Sequence, residues 1–262
     1  MKITLPDNSF RDLPDGSSGY DLAKDIGPGL AKSAVAITVN GEQKDLHDKI
    51  EGDASVSIIT IDSDDGLDIM RHTLTAQVLA RAIKNLYPKS QLAIGPTIED
   101  GFYYDVETDK TISIDDLQKI EDEMKNIVKT NSSITKKLVS KSDALKVFKS
   151  LKEPYKEEII SESDQKDDFQ LYYQDKEEFV DLCRGPHLPN LSFIGSFKLT
   201  KVSGAYWKGD SKNTMLTRIY GTAWKNDKDL EKYLNTIEEA VKRDHRKLGK
   251  EMDLFHFQDE AP

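Results

Sequence analysis

The side chains of this sequence with the most reactive chemistry are gathered in residues 181–187, where Cys183 and His187 stand four positions apart. Cys183 is the only cysteine of the chain, so it forms no internal disulfide and serves packing, metal binding or chemistry. Gly185 and Pro186 between the two predict a fixed loop, and scaffolds often display functional groups on loops. The surroundings of Cys183 therefore favour chemistry.

Two further candidates lie far away in the chain, His72 and Lys156. Residue types alone leave a plain structural explanation open for each candidate. His72 fits an exposed histidine at a helix start and Lys156 a solvated charge, while Cys183 fits a buried small apolar residue and His187 a loop histidine bonded to backbone. A functional site requires these distant residues to converge, which spacing alone does not establish.

The composition is polar but globular, with 37% hydrophobic and 32% charged residues and apolar runs throughout the chain. A net charge of -10 argues against indiscriminate coating of nucleic acid and leaves room for a specific RNA contact through a local basic patch. No apolar run approaches the ~18 residues of a membrane span. We expect a soluble, cytoplasmic protein that contacts no membrane, and a single cysteine fits a reducing compartment.

The pattern of strands and helices predicts an α+β chain of two domains. Residues 1–61 show two strands, a helix and three strands, with a hairpin signal at Asn40-Gly41, which indicates a β-grasp sheet holding one helix. The acidic stretch that follows is typical of a linker. A larger α+β domain with an antiparallel sheet comes next, and its first helix is predicted near Ala76–Leu86. The expected boundaries are 1–61, 62–66 for the linker, 67–243, and 244–262 for a further linker.

Several motifs of this chain match one family in order. They are Gly95-Pro96 and residues 101–105, 154–156, 180–187, 204–207, 218–224 and 243–249. On these motifs the chain resembles the amino-terminal part of bacterial threonyl-tRNA synthetases. The resemblance covers nearly the whole chain, as a ubiquitin-like TGS domain followed by an editing domain.

The resemblance implies hydrolysis of a mischarged tRNA. Serine lacks one methyl group of threonine, and a pocket that accepts threonine discriminates against it by only ~1–3 kcal/mol. The family therefore removes serine from tRNA(Thr) at a second site. There, water attacks the aminoacyl ester while nearby groups orient the water and stabilise the oxyanion.

The resemblance also implies roles for individual residues. His72, Lys156, Asp181, Cys183 and His187 correspond to catalytic positions, with Cys183 expected to position groups and not to attack. The expected substrate-binding positions are Gln77, Gly95, Pro96, Tyr104 and Arg184. A local basic patch for RNA would consist of Lys198, Lys201, Lys208 and Arg218.

One departure from the family pattern affects the helix that carries His72. The family has a second histidine four residues after the first, but here Ala76 occupies that spacing. The segment is one residue longer than usual, and alignment from its far end puts Gln77 in place of the second histidine. Either the helix begins after the extra residue, or a bulge restores the helical face. The alternative function is thus a tRNA-binding accessory module with weakened or lost editing.

Metal and cofactor expectations follow from the same residues. Related alanyl-type editing domains hold zinc with a similar four-position set, but only His72, Cys183 and His187 remain here. We expect no metal and no cofactor for editing. ATP, magnesium and zinc would belong to an aminoacylation domain outside residues 1–262. We expect a piece of a longer synthetase, homodimeric through that domain, with residues 1–262 themselves monomeric.

Overall fold

The computed structural model describes residues 1–175 and 177–242, with the side chain of Val241 left out. The expected linker at 244–262 and the motif at 243–249 lie outside these residues. None of the helices within the described ranges is long and apolar enough to cross a membrane.

The first domain is a five-stranded sheet in the order β2-β1-β5-β3-β4. Its strands are β1 (Lys2–Thr4), β2 (Phe10–Asp12), β3 (Ala34–Val39), β4 (Glu42–Asp45) and β5 (Ala54–Thr60). Helix α1 (Gly19–Ile26) begins at a capping box and buries Leu22 and Ala23 in the domain core. A second short helix, α2 (Pro28–Ser33), follows directly, whereas the sequence predicts only one helix in this domain. This is the β-grasp arrangement that the sequence predicts.

The second domain contains two antiparallel sheets, which confirms the α+β prediction. One has the order β11-β10-β9, from β9 (Ile134–Val139), β10 (Phe169–Gln174) and β11 (Phe179–Leu182). The other has the order β12-β13-β8-β6, with β7 paired to β8. Its strands are β6 (Gln91–Leu92), β7 (Thr97–Ile98), β8 (Gly101–Glu107), β12 (Ser196–Tyr206) and β13 (Met215–Trp224).

Helices pack against these sheets, and the core between them continues into the first domain. They are α3 (Asp64–Thr73), α4 (Ala80–Leu86), α5 (Leu117–Lys129), α6 (Lys141–Leu151), α7 (Pro154–Glu162) and α8 (Asp227–Lys242). The largest apolar cluster joins α3, α4, α5 and β8 with Val35, Ala36 and Ile59 of the first domain. The two domains therefore share buried apolar surface.

Helix α3 begins earlier than the sequence predicts. The Ser63 side chain accepts a hydrogen bond from the Gly66 amide at 3.0 Å and caps the helix, so most of the expected linker at 62–66 is helical. A Cβ atom on Gly66 would lie 2.1 Å from the Thr60 carbonyl oxygen, so this start fits tightly against the end of β5. His72 consequently lies near the end of α3 and not at a helix start.

A π-helical segment, Leu74–Leu79, joins α3 to α4 without a break. The Ala80 amide donates to the Thr75 carbonyl five residues earlier. A single π turn accommodates one extra residue inside an α-helix. Of the two alternatives that the sequence leaves open, the structure shows the bulge.

Candidate active site

A cavity of about 660 Å³ opens between the His72 helix, helix α7 and the loop that follows β11. We call it the central cavity. Seven of the ten residues expected to react with or bind the substrate line it. They are His72, Gly95, Pro96, Lys156, Asp181, Cys183 and Arg184. Tyr104 and His187 are buried directly behind its wall, and Gln77 is not among the lining residues.

Lys156 and Asp181 form a buried ion pair at this cavity. The Lys156 Nζ atom lies 2.7 Å from Asp181 Oδ1, and the two side chains are 4% and 2% exposed. The Tyr104 hydroxyl donates to Asp181 Oδ2 at 3.2 Å. Burial, followed by the nearby Asp181 charge, raises the pKa of Tyr104 well above its usual value, so this hydroxyl stays a proton donor.

The first turn of α7 holds Lys156 in this position. Pro154 starts the helix, where its missing N–H is not needed. Glu153, directly before it, accepts the Leu92 amide at 2.6 Å and the Lys84 ammonium at 2.7 Å. These bonds fix the start of α7 against β6 and α4.

His72 and Cys183 also contact each other at the cavity, with 2.9 Å between His72 Nε2 and Cys183 Sγ. Burial lowers the pKa of His72, although a hydrogen bond to the Pro186 backbone and the charge of Asp181 oppose this effect. Proline offers only its carbonyl to a hydrogen bond, so His72 donates from its other nitrogen, Nδ1. The imidazole is therefore neutral, and Nε2 accepts the thiol proton of Cys183.

His187 lies behind His72, with the two ring centres 4.5 Å apart. Its Nδ1 atom is 3.2 Å from the Thr73 hydroxyl, and the Tyr172 ring packs edge-on against it at 4.4 Å. Its Nε2 atom is buried and has no hydrogen-bond partner among the described residues. His187 thus supports His72 and does not itself line the central cavity.

Gly95 lets the chain pass close to the aromatic wall of the cavity. A Cβ atom at this position would lie 2.3 Å from Tyr104 Cδ2 and 2.4 Å from Thr75 Cγ2. The sequence predicts Gly95 as a substrate-binding residue, and the structure shows close packing as the reason for a glycine there.

The wall contributed by the π segment differs from the sequence interpretation. Ala76 lines the cavity beside His72, while Gln77 is buried with its side-chain oxygen 3.2 Å from the Gln174 amide nitrogen. The assignment of Gln77 to the substrate site is therefore wrong for this structure. The bulge leaves Ala76, four positions after His72, facing the cavity. Its side chain is a methyl group, which has no acid–base chemistry.

Three ligand-type side chains meet beside the cavity. The ligating atoms of His72, Cys183 and His187 lie within 4.8 Å of one another, and these three make up the whole group found in the described ranges. Two ligands of one tetrahedral zinc lie roughly 3.5 Å apart, on bond lengths of about 2.0–2.3 Å. The 2.9 Å between His72 and Cys183 is instead a hydrogen-bond spacing.

Most of the cations expected to bind RNA are already paired. Arg218 forms two bonds to Asp105, at 2.7 and 2.8 Å. Lys208 contacts Glu158 and Glu162, and Lys198 contacts Glu121. Lys201 lies exposed above the Tyr220 ring, 5.5 Å from its centre. The structure therefore shows no concentrated basic patch at these four residues.

The sequence gives no signal for two residues that hold the cysteine loop. Asp45 of the first domain accepts the His187 amide at 2.8 Å, and Thr73 accepts the Leu188 amide at 2.9 Å. An aspartate in a polar turn and a threonine in a helix are common, and only the folded chain places them beside Cys183 and His187.

Comparisons with known proteins agree with this organisation. Residues 1–60 match the TGS domain, and residues 170–220 match the Threonyl and Alanyl tRNA synthetase second additional domain. The chain is 50% identical over 260 residues, 99% of its length, to the threonine–tRNA ligase of Prochlorococcus marinus (strain MIT 9211), and it spans 40% of that protein. With both domains in this order, the chain has the make-up of the amino-terminal, TGS-plus-editing region of the threonyl-tRNA synthetase family.

Proposed function

We propose that this region hydrolyses tRNA(Thr) mischarged with serine. The main support for this proposal is that the neutral imidazole of His72, the thiol of Cys183 and the buried Lys156–Asp181 pair all lie at one cavity. Its volume of about 660 Å³ admits an amino acid together with the terminal ribose of a tRNA.

The reaction requires a base for water and a donor for the developing oxyanion. His72 Nε2 supplies the base once the Cys183 side chain rotates away and a water takes its place. The water oxygen bonds to the carbonyl carbon of the ester while one water proton passes to His72. The bond between this carbon and the ribose oxygen then breaks, and the ribose oxygen takes the proton from His72 and leaves as a hydroxyl. The Lys156 ammonium stabilises the oxyanion, and Asp181 accepts hydrogen bonds from the serine amine or hydroxyl.

The second candidate is a tRNA-binding accessory module with weakened or lost hydrolysis. It is favoured by Ala76, which faces the cavity one helical turn after His72 and can neither bind a proton nor hold a water.

The remaining proposals concern the longer protein. The synthetase to which this region would belong joins threonine to tRNA(Thr) with ATP, in the cytoplasm and as a homodimer. Its ATP, magnesium and zinc would be bound outside residues 1–262, while these residues alone would be monomeric and edit without a cofactor.

A deacylation assay decides between the two candidates. The chain is incubated with seryl-tRNA(Thr) and threonyl-tRNA(Thr), and free amino acid is measured. We expect faster release of serine, and a loss of about 100-fold or more in His72→Ala. Cys183→Ala should keep part of the activity, because the thiol positions groups and does not attack. Binding of tRNA(Thr) without release of serine supports the accessory module.

A further inference from the structure

Asp45, at the end of β4 in the TGS domain, binds directly to the loop that carries Cys183 and His187. Its Oδ1 atom accepts the His187 amide at 2.8 Å, and its Oδ2 atom accepts the Tyr172 hydroxyl at 2.7 Å. The Lys136 ammonium of β9 lies 2.9 Å from Oδ2. Three donors of the second domain therefore converge on one carboxylate of the first.

The turn that carries the Asp45 carboxylate is held by several hydrogen bonds. The Asp45 amide donates to the Asp48 side chain at 3.2 Å, and the Asp48 amide donates to the Asp45 carbonyl at 3.0 Å. Asp48 also accepts the Lys136 ammonium at 2.5 Å. The Asp45 side chain is only 14% exposed, so water competes little for its bonds. The turn at 45–48 thus acts as a fixed point for the neighbouring loop.

From Asp45 to the central cavity the contacts are continuous. A Cβ atom on Gly185, where φ is +64°, would lie 1.9 Å from the Tyr172 hydroxyl oxygen, so the loop is pressed against this tyrosine. The Tyr172 ring packs on His187, His187 lies against His72, and His72 accepts the Cys183 thiol. Displacement of the loop would therefore alter the His72–Cys183 contact.

We infer that Asp45 is a positioning residue of the central cavity, through which the TGS domain sets the geometry of His72 and Cys183. The inference deepens the proposed function, because the geometry that it fixes is that of the proposed base. The shared apolar cluster holds the domains together, whereas Asp45 sets one loop within that contact. The negative charge of Asp45 also favours the protonated form of His72, in opposition to burial.

The test uses the whole chain with Asp45→Ala, with Asp45→Asn as the conservative variant and Asp25→Ala as the matched control. Asp25 is an aspartate of the same domain that pairs with Arg11 on the exposed surface. Single-turnover hydrolysis of seryl-tRNA(Thr) gives a rate and an apparent affinity. For Asp45→Ala we expect a rate about ten- to hundredfold lower at unchanged affinity. Asp45→Asn keeps an oxygen acceptor for His187 and should recover most of the rate, and Asp25→Ala should match the unsubstituted chain.

A second measurement does not depend on hydrolysis. Cys183 is the only cysteine, so iodoacetamide reports on it alone. Release of the loop in Asp45→Ala should raise the alkylation rate about fivefold, the factor that one net hydrogen bond is worth. Equal alkylation and hydrolysis rates in folded Asp45→Ala and the unsubstituted chain overturn the inference, even if the melting temperature falls.

The two proposals fail separately. If the unsubstituted chain releases no serine, the proposed function fails and the alkylation rates alone decide the role of Asp45. If Asp45→Ala does not fold, Asp45→Ser replaces it, because a serine hydroxyl is too short to reach both His187 and Tyr172. The same expectations and the same overturning result apply to that variant.

Discussion

The Lys156 ammonium and the Asp181 carboxylate lie 2.7 Å apart with almost no exposure to water. Each side chain neutralises the other, and the Tyr104 hydroxyl and the Leu182 amide also donate hydrogen bonds to Asp181. Removal of either partner would leave an uncompensated buried charge. The pair therefore ties the stability of the second domain to the proposed catalytic residues.

The first prediction concerns this pair. Lys156→Met should lower the free energy of unfolding by about 3–5 kcal/mol, because Asp181 is left buried and unpaired. Urea denaturation measures the change. Lys146→Met is the control, since Lys146 pairs with Asp143 on the exposed surface and should change stability little. Equal effects of the two substitutions contradict the prediction.

The second prediction concerns the wall beside His72. Ala76→His places an imidazole on the cavity wall and should raise the rate of serine release, by about tenfold or more for an added acid–base group. Gln77→His should not raise it, because Gln77 faces Gln174 inside the protein. Loss of the Gln77 bonds should instead destabilise the chain by about 1–3 kcal/mol. A rate gain in Gln77→His alone would show that the sequence alignment, and not the observed bulge, describes the working site.

The third prediction concerns Gly95. Gly95→Ala should destabilise the protein by about 1–3 kcal/mol and reduce serine release, because the new methyl group would overlap Tyr104 and Thr75. The matched control is Gly29→Ala, in helix α2, where a Cβ atom meets nothing within 4 Å. Thermal melting should show a lower midpoint for the first variant and an equal or higher one for the second. Similar melting of both variants contradicts the packing role.

The fourth prediction concerns pH. Burial lowers the pKa of His72 below the 6.5 of a free histidine, so the unfolded chain binds the proton more readily. The contribution to stability is complete above pH 6.5 and is lost as the pH falls toward the folded-state pKa. Urea denaturation between about pH 5 and pH 7.5 should show a shallower dependence in His72→Gln. Because neutral His72 is the proposed base, serine release should follow the same titration and persist below pH 6.5. Parallel curves of unfolding free energy against pH for the unsubstituted chain and His72→Gln would contradict the prediction.

Local signals in the sequence predict much of the fold. Asn40-Gly41 forms the expected hairpin turn, and Ser113 with Asp116 forms a capping box, which is a local sequence signal of the same strength. Ser63 carries the same kind of signal, but Asp62 to Gly66 also has the composition of a linker, and the two interpretations compete. The decisive contact there, Gly66 against the Thr60 carbonyl, exists only once β5 and α3 are packed.

The candidate site was only partly predictable. Cys183, His187 and Lys156 are recognisable from the motifs that surround them. Asp45 is not, because its role depends on a contact between the two domains, with His187, which lies 142 positions further along the chain. The error at Gln77 has a similar cause. An extra residue in a helix either rotates the following side chains to another face or is taken up in a wider π turn, and sequence spacing does not distinguish these outcomes.

The π turn at Leu74–Leu79 also has a consequence for how this region can change over time. It contains the π-type hydrogen bonding within six positions, and the α4 residues that follow it pack in the shared apolar cluster. We expect that one residue gained or lost there would exchange the residue presented to the cavity and leave the packing of α4 in place. The site is therefore open to retuning by insertion and deletion as well as by substitution.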